Sequence, residues 1–173
     1  AYPEFDVHCC DGRMCHISLG VRGYHNILNA TATIAVCDVL GIDVNTAALG
    51  IESFHGVKRR FEYKGEINGA KIFDDYAHHP TEIKATLSVA KAMKHTKIRC
   101  IFQPHTYIRT RTLWDGFLTA FSDVDELIIT NIYTARESFD GITTGKKLAL
   151  AIKETTCSNV KFIGSFDAIC QYI

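Results

Sequence analysis

The sequence predicts an α/β protein: a mostly parallel sheet with helices on both faces, preceded by a smaller segment of hairpin and helices. Three observations carry this. From about residue 61 onward, short β-branched and apolar runs alternate with stretches of helical period, the pattern of βαβ units. The first fifty-odd residues follow another order, a hairpin signal and then a glycine-bearing loop entering a long helix. Titratable side chains gather where strands give way to helices, and open α/β sheets bind their ligands at the carboxyl ends of the strands.

Taken in order, residues 4–10 and 13–19 read as strands joined by Asp11-Gly12, a hairpin turn signal. A two-stranded hairpin is marginal alone, so this one is expected to complete a larger sheet lying outside the chain. The stretch Gly20-Val21-Arg22-Gly23-Tyr24-His25-Asn26-Ile27-Leu28-Asn29 opens a helix of about four turns that stops at Gly41. Asn26 and Asn29 lie three apart on one face of its start. Either amide could be an N-cap; the pair beside His25 could equally hydrogen-bond a flat heterocycle, because an amide offers donor and acceptor together. A short helix near 45–54 follows, and then Lys58-Arg59-Arg60. These cations are expected to enter a strand, placing Arg59 and Arg60 on opposite faces so that one can turn inward toward an anion. The domain boundary is placed here, between residues 1–57 and 58–173.

Asn68-Gly69 marks a type I′ hairpin between strands 61–67 and 70–74. Phe73-Asp74-Asp75-Tyr76-Ala77-His78-His79-Pro80 comes next, with two carboxylates, a phenol and two imidazoles within six residues. Pro80 suits the first position of a helix, with His79 at its N-cap and Glu82 in its first turn. A strand at 97–102 precedes a polar loop, 103–111. A helix bearing Leu113, Trp114, Phe117 and Phe121 follows. A strand ending at Thr130, a helix over 144–155, a strand over 160–163 and a last helix from 166 complete the alternation. Three titratable clusters, Asp74 to His79, His105 to Arg111 and Tyr133 to Glu137, are thus expected on one edge of one sheet.

Composition excludes some classes of function. Lys and Arg total 19, as do Asp and Glu, so the broad positive footprint of a nucleic-acid-binding domain is missing. No apolar run approaches the roughly 18 residues of a membrane span, and the first residues do not read as a signal peptide; no membrane insertion and a cytoplasmic protein are the expectation. Seven cysteines without a C-x-x-C read as reduced thiols. His8-Cys9-Cys10 with Cys15-His16 could be taken for zinc ligands, but adjacent ligands fit poorly into one tetrahedron, and no metal site is assigned. Gly141-Ile142-Thr143-Thr144-Gly145-Lys146-Lys147 has one residue too few for a phosphate loop and Lys where Ser or Thr should stand.

The strings GYHNILNA, FHGVKRRFE, DDYAHHPTEI and FQPHTYIRTR resemble the Mur ligase family, in the branch that adds L-alanine, and they run in the family's order across nearly the whole chain. The resemblance implies the end of a central ATPase domain followed by most of a Rossmann-like, amino-acid-binding C-terminal domain. The family's N-terminal domain and the rest of its central domain, with the phosphate loop, would be missing. It implies a ligase that uses ATP and Mg2+ to join L-alanine to UDP-N-acetylmuramate through an acyl phosphate in peptidoglycan precursor synthesis, with the fragment alone inactive. Position by position, it implies that His25, Asn26 and Asn29 meet adenine, Arg60 the nucleotide phosphates or ribose, and Asp75 the ribose. Tyr76, His78 and Arg109 would line the L-alanine pocket, Arg109 holding the carboxylate, with His105 and Tyr133 nearby; Arg60 and His78 would be catalytic. Thr106 departs from the Arg that many members carry there, which leaves the alanine clamp one guanidinium short. The alternatives are a ligase recycling murein tripeptide, a non-catalytic nucleotide- and amino-acid-binding domain, and a metal hydrolase built on Asp75, His78 and His79.

Overall fold

A computed structural model describes residues 2–173. By compactness the chain forms two units, one extending to Tyr76 and one from Ala77 to Ile173.

In the first unit, β1 (Glu4–His8) and β2 (Met14–Ser18) pair antiparallel, with Val7 opposite Cys15 and Phe5 opposite Ile17. Both strands are shorter than the sequence suggests. The tip closes instead through Cys9 N–H donating to Arg13 O at 2.8 Å and Gly12 N–H to Cys9 O at 3.1 Å. Alternation then places Cys15, Ile17 and Leu19 on one face. There they pack on Ala30 and Ile34 of α1 (Tyr24–Val39) and on Val44, Ala47 and Ala48 of α2 (Val44–Glu52). Arg13 fastens the hairpin tip to the end of α1, bonding Asp11 and Asp38 at 2.6 Å each. A second hairpin, β3 (Glu62–Ile67) with β4 (Ala70–Asp74), turns at Asn68 (φ 51°) and Gly69 (φ 81°). Two successive positive φ angles are what a type I′ turn requires, as Asn-Gly predicts.

The cations Lys58, Arg59 and Arg60 are not in a strand, contrary to expectation. They form a turn, with Arg59 at φ 60° and Phe61 at φ 46°, so no alternation of faces separates the two arginines. The turn is held by side chains the strand reading ignored. Asp75 accepts the Phe61 N–H at 2.8 Å, and Glu62 accepts the Arg59 N–H at 2.8 Å.

The second unit contains α3 (Pro80–Lys91), β5 (Arg99–Phe102), α4 (Tyr107–Thr112), α5 (Trp114–Leu118), β6 (Glu126–Ile129), α6 (Gly145–Thr155), β7 (Val160–Phe162) and α7 (Phe166–Tyr172). The strands form a parallel sheet in the order β5-β6-β7, flanked by helices. β6 is central and buried throughout. Leu127 and Ile129 meet Phe102, Phe117 and Phe121, with Ile83 and Leu87 of α3 and Leu148 and Ile152 of α6 in the same core. Phe117 and Phe121 are fully buried, their rings 5.6 and 5.1 Å from that of Phe102; each contributes roughly 2–3 kcal/mol of burial. His79 caps α3 through its imidazole while Glu82 reaches back to the His79 N–H at 3.2 Å, and Pro80 occupies the first position, as predicted.

Two expectations fail here. β4 pairs with β3 alone and is not part of the parallel sheet, so two titratable loops, not three, leave that sheet's edge. Residues 107–112 are also helical rather than loop. The phosphate-loop look-alike is resolved as packing. Asp140 accepts the N–H groups of Ile142 and Thr143 at 2.9 and 2.7 Å, filling with its own carboxylate the amides a phosphate would use. A Cβ on Gly145 would lie 2.1 Å from Thr130 O, so only glycine lets α6 start against the end of β6. No helix among the described residues is long and apolar enough to cross a membrane.

Candidate functional site

In the second unit the site grows from the ends of β5 and β6. Beyond the strands, pairing continues: Tyr133 N–H donates to Pro104 O and Thr106 N–H to Tyr133 O, each at 2.8 Å, making a parallel bridge of His105 with Tyr133. This brings the His105 ring to 5.3 Å from the phenol of Tyr133. His78, in the segment before α3, places its ring 5.9 Å from that of His105. Arg109, one turn along, reaches back so that its Nη1 lies 2.8 Å from His105 Nδ1.

That last contact decides a protonation state. A guanidinium can only donate, so Nδ1 of His105 accepts and the ring is neutral with its proton on Nε2. The electrostatics agree: burial, then the charges of Arg109 and His78, lower the His105 pKa from its ordinary value. The cluster is thus one permanent cation fixed by a neutral imidazole, beside a second imidazole and a half-exposed phenol. A planar guanidinium in a fixed orientation suits a carboxylate, whose two oxygens it can pair.

Thr106 is the strained point of this loop. Its φ of 65° and ψ of 148° are rare for any residue but glycine. The strain is held because its N–H, its carbonyl and its hydroxyl are all used: the carbonyl accepts from Thr110 N–H at 3.2 Å and the hydroxyl from Arg109 N–H at 3.3 Å. Glu82 accepts the His78 N–H at 3.1 Å, tying that imidazole's backbone to the cap of α3.

The remaining candidates lie in the first unit. Gly23 is the N-cap of α1, without a side-chain cap bond, so neither asparagine is the cap. Asn26 Nδ2 donates to Arg22 O at 2.7 Å and Asn29 Nδ2 to Asn26 Oδ1 at 3.4 Å, giving an oriented amide pair beside the exposed His25. At the 58–61 turn, Tyr76 N–H donates to Arg59 O at 2.7 Å, and its ring lies under the guanidiniums of Arg59 (4.7 Å) and Arg60 (5.9 Å). Arg59 is further engaged by Asp74 at 3.5 Å. Sequence reasoning gave no role to Thr106 as a cap or to Glu137; the Pro-His-Thr string and the Tyr133–Glu137 cluster were the available signals.

The second unit is of the α/β class, a parallel sheet with a guanidinium, two imidazoles and a phenol gathered beyond the ends of β5 and β6. More narrowly, the chain belongs to the Mur ligase family: the family model described as Mur ligase, glutamate ligase domain, matches residues 59–173. It is 48% identical over 171 residues to a protein from Clostridium beijerinckii named UDP-N-acetylmuramate–L-alanine ligase, and 47% identical to one of the same name from Clostridium acetobutylicum. These matches cover 98–99% of the chain, but the chain spans only 37% of each relative's length. Among solved structures it resembles a UDP-N-acetylmuramate–alanine ligase from Thermotoga maritima (TM-score 0.76, 31% identity), covering 98% of this chain and 36% of that one. It also resembles a murein peptide ligase from Psychrobacter arcticus (TM-score 0.69, 27% identity), covering 98% and 35%.

Proposed function

We propose that the chain is the C-terminal part of an ATP-dependent ligase joining L-alanine to UDP-N-acetylmuramate in the cytoplasm, for peptidoglycan precursor synthesis. The observation that carries this is Arg109, set by the neutral His105 at the carboxyl edge of a parallel sheet, in a chain 48% identical to a protein named for that reaction. On this reading Arg109 binds the L-alanine carboxylate, with His78 and His105 around the amino acid. His25, Asn26 and Asn29 receive adenine; Asp75 takes the ribose and Arg60 the phosphates or ribose. Residues 58–173 form the amino-acid-binding domain and residues 1–57 the end of the ATP-binding one; the start of the family match at residue 59 supports that boundary.

The reaction runs in two steps. The lactyl carboxylate attacks the terminal phosphorus of ATP, giving an acyl phosphate and ADP. The alanine amine then attacks the acyl carbon, and phosphate leaves. Arg60 counters charge on the transferring phosphoryl group, and His78 receives the amine proton. Phosphoryl transfer of this kind uses magnesium with ATP. Among the described residues no group of three His, Cys, Asp or Glu side chains is placed to hold a metal ion, and no step here passes through one.

The test is turnover by the full-length protein containing this chain. ADP release should require UDP-N-acetylmuramate and L-alanine together, and the product mass should show one added alanine. Turnover with a murein tripeptide in place of L-alanine would assign the recycling activity instead. Binding of ATP and L-alanine without turnover would leave a non-catalytic domain.

A further inference from the structure

Helix α4, which carries Arg109, is only six residues long. A helix so short does not hold itself together in water, and its first-turn N–H groups have no intrahelical partners. Three of them are satisfied by side chains. Thr106 takes the Arg109 N–H. The Tyr107 and Ile108 N–H groups both donate to one oxygen, Glu137 Oε2, at 2.5 and 3.1 Å. Glu137 comes from the loop after β6, thirty residues further along. It is itself fixed, its own N–H donating to Thr134 O at 2.9 Å, and two residues on Phe139 packs edge-on against Tyr107 with ring centroids 5.4 Å apart. The carboxylate also sits at the positive end of the helix dipole.

We infer that Glu137 is a positioning residue for the amino-acid site: its carboxylate anchors the start of α4 and thereby aims Arg109 and His105. Glu137 Oε2, the oxygen facing α4, is committed to two backbone donors. Arg109 is the residue directly after the second of them. Releasing the anchor frees the turn that sets the Arg109 guanidinium on His105 and relaxes Thr106 out of its strained backbone conformation. The inference rests on the proposed L-alanine-ligating activity.

The experiment is steady-state kinetics of the full-length enzyme with four variants: Glu137→Ala, Glu137→Gln, Arg109→Ala and the Arg109→Ala/Glu137→Ala double variant. Glu137→Ala should raise the KM for L-alanine about 30-fold, as loss of charge-assisted hydrogen bonds does. Glu137→Gln, which keeps an acceptor oxygen without the charge, should raise it only about 5-fold. The KM values for ATP and UDP-N-acetylmuramate should stay within about two-fold. In an Arg109→Ala background, Glu137→Ala should add less than about two-fold, because its effect passes through that residue. Equal changes in all three KM values, or additivity with Arg109→Ala, overturn the positioning role in favour of a merely structural one. An unchanged L-alanine KM in both Glu137 variants of an active enzyme overturns it alone; a wild-type enzyme with no L-alanine-dependent turnover overturns the reading beneath it.

Discussion

Glu126 opens the central strand, and its carboxylate is the best-defined buried charge of the second unit. The side chain is 2% exposed and bonds Lys97 Nζ at 2.6 Å, Arg99 Nε at 2.8 Å and the Tyr172 hydroxyl at 2.6 Å. The Lys97 bond first, then those of Tyr172 and Arg99, hold its pKa at about 2 against an ordinary 4.5, although burial opposes them. At 1.36 kcal/mol per pH unit that difference corresponds to at most about 3 kcal/mol at neutral pH. Lys97 and Arg99 are 47% and 33% exposed, so water screens both partners and about 2 kcal/mol is the working figure. Because the folded-state pKa is depressed, this stability is complete above pH 4.5 and is lost as pH falls toward 2. Glu126→Gln should therefore lower the urea midpoint at pH 7, with the gap between variant and wild type closing from pH 4.5 downward. Trp114, the single tryptophan, packs against this core and reports the transition by fluorescence. Equal midpoints at pH 7, or a gap that persists unchanged at pH 2, would refute the account.

Three further outcomes can be checked. Asn29→Ala in the full-length enzyme should raise the KM for ATP about 10-fold without lowering helix stability, because Gly23 caps α1; a lower melting temperature with unchanged ATP kinetics would return Asn29 to a structural role. Arg109→Ala should raise the L-alanine KM by an amount equivalent to about 2 kcal/mol, and an NMR titration should show the His105 pKa rising as the adjacent positive charge is removed. Gly145→Ala drives a methyl to 2.1 Å from a backbone oxygen and should cost about 3 kcal/mol; an unchanged melting temperature would show that α6 can shift away from β6.

Local chemistry was legible wherever the deciding partners are near in sequence. Asn68-Gly69 forms its turn because both residues tolerate positive φ, and His79-Pro80 with Glu82 starts α3 because cap and first turn lie within four residues. The resemblance carried the candidate residues, and the structure brings His78, His105, Arg109 and Tyr133 together in one unit. What failed depended on distant partners. The Lys58–Arg60 segment reads as a strand entry, yet Asp75, fourteen residues past Phe61, draws it into a turn with left-handed backbone. Residues 107–112 read as a loop because nothing in their own letters satisfies the first-turn N–H groups that Glu137 accepts. The third reactive loop was placed on the sheet edge because periodicity marks β4 as a strand but cannot say which strand it pairs with.

By itself, then, the sequence determined the α/β class, the Asn68-Gly69 turn, the start of α3 and the family. Each of these follows from short-range spacing or from matched strings. Tertiary structure alone decided which candidates meet and in what state. Pairing beyond the ends of β5 and β6 puts Tyr133 against His105. A guanidinium that can only donate makes that imidazole neutral. A carboxylate thirty residues away turns a polar loop into the helix that presents Arg109. The physical reason is common to all three: unpaired backbone and charged groups must find partners on folding, and here those partners come from elements far apart in the chain.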